Sequence, residues 1–104
     1  NYFNENPKAN PAVMTLTVLF NFFSNVMMAY YAPDKTEQGM CQHLELKSSW
    51  QLKEYKYAMQ NYSAMKTMQI IGKIREADAK LKGVEKGNTS DADVMKELIY
   101  FILH

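Results

Sequence analysis

Apolar positions between Ser63 and Gly83 return at helical spacing. Ile70, Ile74, Ala77 and Leu81 fall at i, i+4, i+7 and i+11, and Ala64, Met68 and Ile71 widen the stripe. The pattern predicts an amphipathic helix of roughly five turns. Lys66, Lys73, Glu76 and Lys80 occupy its other side, with Glu76 four residues before Lys80 in the favourable order for an ion pair. Ser63 is placed to cap the start, and Gly83 to take the left-handed stop.

The remaining elements follow from similar signals. Asn1–Asn10 is polar and carries Pro7, so it reads as a lead-in, with Asn10 as a cap and Pro11 at the first helical position. From Ala9 to Pro33 no residue is charged. That length would suffice to cross a membrane. However, Thr17, Asn21 and Ser24 form a polar stripe, and no Lys/Arg cluster flanks the segment closely, so a soluble helix is expected. Phe20, Phe22 and Phe23 point in different directions, which requires at least one to face outward. An uncharged polar stripe beside aromatics suits a protein–protein contact, and Asn21, Phe22 and Phe23 are the candidates. A central core helix wrapped by the others is the competing reading.

Pro33 ends this helix, and Asp34 or Thr36 starts a short one to Leu44, with Met40, Cys41 and Leu44 inward. Ser48 and Gln51 suggest a capping box for a helix to about Gln60, whose apolar side is assigned to Trp50 and Tyr57, with Leu52 and Tyr55 as further candidates. The loop Val84–Asn88 reverses the chain. Thr89 or Ser90 caps a last helix, where Asp91 and Asp93 favour the first turn. Val94, Leu98, Phe101 and Ile102 define its inner face; Met95, Ile99 and Leu103 widen it, so that most of its girth should be buried. No strand-period alternation appears. The fold class expected is all-α, a compact bundle of about five helices in a single domain over residues 11–104.

Composition narrows function mainly by exclusion. Net charge is +1, so no strong field for nucleic acid or an anionic membrane surface is present. The single cysteine, Cys41, rules out an internal disulfide framework and suits a reduced, cytoplasmic protein. No zinc spacing, phosphate-binding glycine loop or nucleophile–base constellation is legible. The reading is therefore of a non-enzyme without cofactor or metal. His43 lacks ligating neighbours, and Asp91 and Asp93 are helix-start residues. Asp78 lies beside Ile74 and Leu81, close to the apolar stripe. It is expected to act as a structural carboxylate, accepting hydrogen bonds from a neighbouring helix end or a basic side chain. The two short helices from Thr36 and Ser48 also match helix-turn-helix spacing, with Gln51 and Lys53 available to bases but Glu45 and Glu54 offsetting the charge.

Several stretches carry a resemblance. Ala77-Asp78-Ala79-Lys80-Leu81-Lys82-Gly83, preceded by Ile70-Ile71 and Ile74, resembles a helix ending of clamp-loader collar domains. The closing Met95–His104 resembles the end of bacterial DNA polymerase III delta subunits. Asn10–Thr15 through Phe20–Ser24 is similar to the first collar helix of that group, and Trp50–Tyr57 and Asn61-Tyr62-Ser63 fit as well. The resemblance implies an all-helical collar domain that joins delta to the other clamp-loader subunits in a ring during DNA replication. The sliding clamp would then be gripped by upstream domains, and no catalytic residue or cofactor falls on this chain. The chain starts at Asn1 and not Met, which agrees with a piece of a longer protein. A nucleic-acid-binding helix-turn-helix domain is the alternative, and DNA contact by this segment is left open.

Overall fold

The computed structural model describes residues 11–47, 49–83 and 90–104. Within them the chain is all-α, with five helices: α1 Pro11–Tyr31, α2 Glu37–Leu44, α3 Ser49–Asn61, α4 Ala64–Leu81 and α5 Asp91–Leu103. The lead-in with its Asn10 cap, the Ser48 capping box, the Val84–Asn88 loop and the Thr89 cap lie outside the described residues. The chain divides into two compact units, Asn21–Ile71 and a unit made of the chain up to Phe20 together with Gly72–His104. Helices α1 and α4 each contribute one half to each unit.

The helix ends follow local chemistry. Thr36 caps α2, its hydroxyl accepting from Gly39 N–H at 3.1 Å. Asp34 accepts from Thr36 N–H at 2.9 Å, which holds its carboxyl below the usual carboxylate range. Gly39 lets Asp34 sit there, because a Cβ would collide with the Asp34 side chain and force it to shift. The C-terminus of α2 closes with Leu46 N–H on Cys41 O and Glu45 N–H on Gln42 O, at 2.9 and 3.2 Å. This double closure puts Glu45 at φ 57°, in the left-handed region. Ser63 caps α4 through Lys66 N–H at 3.0 Å, and Gly83 takes φ 93° just past its end. Ser90 caps α5 through Asp93 N–H at 3.1 Å.

In the Asn21–Ile71 unit, Ala29, Ala32, Met40, Leu44 and Leu52 form a buried cluster, with Cys41, Leu46, Tyr55 and Met59 packed on it. Aromatic and polar contacts fasten the surrounding helices. Phe22 packs on Tyr55 at 5.2 Å between centroids, and Phe23 meets Tyr62 edge-on at 5.5 Å. Asn25 Nδ2 donates to the Tyr55 hydroxyl at 3.0 Å. The Tyr30 hydroxyl shares its proton between the carbonyls of Met59, at 2.9 Å, and Tyr62. Lys35 closes the end of α1, its ammonium reaching the carbonyls of Ala29, Tyr30 and Ala32. Ala29 O also accepts from Ala32 N–H at 3.3 Å, and the lysine adds donors where the helix's own N–H groups run out.

The other unit is aliphatic inside. Leu16, Ile74, Ala77, Val94, Leu98 and Ile102 are all buried. Lys73 lies 5.4 Å above the Phe101 ring, and Lys80 approaches Glu97 at 3.9 Å, both joining α4 to α5. These charged contacts are exposed, so burial of the aliphatic stripe supplies most of the stabilisation.

Five expectations require correction. Thr67, fully buried, takes the inner position of α4 that was assigned to Met68, which is exposed. Its hydroxyl donates to Ser63 O at 2.8 Å, one turn back, so a polar residue enters the core without an unmet hydrogen bond. On α3, Trp50 and Tyr57, assigned to the apolar side, are exposed, whereas the further candidates Leu52 and Tyr55 turn inward together with Ala58. Trp50 and Tyr57 lie on the opposite side of the helix from Leu52, and only one of the two faces meets the core. Glu76 pairs with Lys73 at 3.4 Å, not with Lys80, which turns to Glu97. None of Phe20, Phe22 and Phe23 is exposed, because each ring has a neighbour within its own unit. On α5 the buried stripe is confined to Val94, Leu98 and Ile102, with Phe101 partly covered, so the helix buries one face and not most of its girth.

Candidate interaction surface

The outer side of α5 leaves apolar surface uncovered, as α1, α3 and α4 also do at single positions. Ile99, Tyr100 and Leu103 are 39%, 66% and 67% exposed. With Met95, Lys96 and His104 they line an open concavity of ≈ 420 Å³. The helix that carries them is held at both ends. Ser90 caps its start, and His104 N–H returns to Tyr100 O at 3.0 Å. The His104 ring stacks on Tyr100 at 4.4 Å and keeps that side chain along the helix surface. One face of α5 is thus anchored by Val94, Leu98 and Ile102, and the flanking face offers Ile99 and Leu103 one turn apart. This arrangement can receive another helix by side-chain interdigitation. In the sequence the same residues show only as excess apolar positions, a pattern that places them inward.

The sequence-derived contact residues on α1 separate. Asn21 is exposed, Phe22 is half-buried against Tyr55, and Phe23 is only 4% exposed. Phe23 therefore cannot offer its ring to a partner while its unit stays folded. The exposed apolar positions on α1 are Met14, Val18, Met28 and Tyr31, none of which was singled out. By length and composition α1 could cross a membrane. In this fold Thr15 and Thr17 return their hydroxyls to the carbonyls of Pro11 and Val13, and Asn25 and Tyr30 bond to α3 and the residues after it.

Asp78 is half-buried, and its carboxylate lies 2.9 Å from Lys82 Nζ, one turn along the same helix. The expected partner is therefore a basic side chain at its own helix end. Cys41 is a partly buried free thiol and His43 is exposed. Among the described residues no three His, Cys, Asp or Glu side chains gather as a metal would require.

Comparison with protein-family models, with curated proteins and with solved structures gives no match. The fold and surface define the class alone, an all-α domain with an apolar helix face open to solvent.

Proposed function

We propose that this chain is a protein-interaction module, the collar domain of a DNA polymerase III delta subunit, which holds the clamp-opening subunit in the loader ring. The observation that carries the interaction reading is the exposed Ile99–Leu103 face on a helix already anchored by its buried Val94–Leu98–Ile102 stripe. The resemblance of residues 77–83 and 95–104 to the delta family supports the choice of partner: the other clamp-loader subunits. On this reading the sliding clamp is contacted by upstream domains, no cofactor or catalytic step belongs to the chain, and the site of action is the cytoplasm.

The test is co-elution of the chain with the remaining loader subunits of its source. Leu103→Glu places a charge on the exposed face without touching the buried stripe, and it should abolish co-elution while leaving the melt unchanged. Co-elution that survives Leu103→Glu and Ile99→Glu together would end the assignment to α5. Salt-sensitive binding of duplex DNA, lost with Lys53→Ala, would instead favour the helix-turn-helix reading of α2 and α3.

A further inference from the structure

We propose that the groove between α1 and α4 in the unit containing both chain ends docks a peptide segment bearing an apolar side chain next to a carboxylate. The groove has a volume of ≈ 360 Å³, within the usual range for side-chain and small-ligand sites. Leu16, Phe20 and Ile74 make its floor, and Arg75, Asp78 and Lys82 its rim. Leu16 and Ile74 are each 2% exposed, so the floor is fixed core and not a mobile surface.

The charges on the rim choose the occupant. Lys82 neutralises Asp78 at 2.9 Å. Arg75 meets no carboxylate at ion-pair distance among the described residues, and its guanidinium lies 5.8 Å from the Phe20 ring centroid. A guanidinium near an aromatic ring still has N–H groups for a carboxylate, which they can match with two parallel hydrogen bonds. Among the described residues the rim sums to one positive charge, from Arg75 and Lys82 against Asp78. One carboxylate balances it, whereas a phosphate dianion would overshoot and face Asp78. The apolar floor beside Arg75 then requires an apolar side chain adjacent to that acid. The groove is partly open to solvent, so a side chain of a docked segment can enter it. This inference stands apart from the collar assignment and uses no residue of α5.

The experiment is an amide-resolved NMR titration of the chain with three peptides. The first is acetyl-Ala-Phe-Asp-Ala-amide, the second has Asn for Asp, and the third has Ala for Phe. The first should bind saturably, moving the amides of Thr17, Phe20, Arg75 and Asp78. The second and third should each bind about tenfold more weakly, the loss expected for a charge-assisted pair or a buried side chain. Arg75→Gln should bring the first peptide down to the affinity of the second. Arg75 is exposed, so its replacement leaves the core intact, and an unchanged melt verifies this. Equal affinity for the Asp and Asn peptides, shifts confined to other residues, or no saturable binding would each overturn the proposal.

Discussion

The two units solve the same problem differently. In Asn21–Ile71 the helices are fastened by groups that can pair in few ways: Tyr30 on two carbonyls, Lys35 on three, Asn25 on the Tyr55 hydroxyl. In the unit containing α5 the inside is an aliphatic stripe, and its charged contacts lie at the surface. Polar fastening specifies partners as well as burying area, because an unmet buried donor or acceptor is costly. An aliphatic stripe specifies only depth and volume. Neither device hides every apolar side chain: Ile99 and Leu103 stay outside in the one unit, Trp50, Tyr57 and Met65 in the other.

The largest expected effect separates the two faces of α5. Leu98→Ala should cost about 2–5 kcal/mol in chemical denaturation, as a buried leucine truncation does. Leu103→Ala on the exposed face should stay within about 0.5 kcal/mol. Equal losses would mean that α5 buries both faces, and the contrast between the units would collapse.

A smaller effect tests the polar fastening. Tyr30→Phe removes the hydroxyl and leaves its place in the core, so the loss should be about 1–2 kcal/mol. Hydrogen exchange should rise first at the α3 C-terminus, next to Met59 and Tyr62. A neutral replacement would show that the ring alone holds α1 to that segment.

The smallest effect is set by pH. Hydrogen bonds from Thr36 hold the Asp34 carboxyl below its ordinary value of 3.8. A carboxyl lowered in the folded state stabilises it fully above the unfolded value, and the contribution disappears as pH falls through the folded one. The start of α2 should therefore loosen below about pH 3.8. Asp34→Asn should remove that part of the acid sensitivity, read as the pH dependence of amide exchange at Thr36 and Gly39. Identical profiles in both proteins would dissociate the cap from Asp34.

Much of the architecture was legible from short-range chemistry. Thr36, Ser63 and Ser90 cap the helices they precede, and Gly83 stands at a stop, because each signal acts within a turn of its own backbone. The periodicity of Ile70, Ile74 and Ala77, and of Val94, Leu98 and Ile102, identified buried stripes for the same local reason. The candidate site was less legible. Lys35 gave no sign of reaching the end of α1, and the apolar width of α5 did not announce that half of it faces outward.

The amino-acid order by itself determined where helices begin and end and that they are the whole of the secondary structure described, since capping, proline and 3.6-residue periodicity are local. Only the tertiary structure decided which of two apolar faces goes inside. Trp50 and Tyr57 have more area to hide than Leu52, yet they stay out, because α3 can present only one side to the core and Tyr55 on that side finds both Phe22 and Asn25. The same choice on α5 turns Val94, Leu98 and Ile102 inward and leaves Ile99 and Leu103 outside. Burial depends on a neighbour's shape and hydrogen-bonding groups, and those are brought together only when the chain folds.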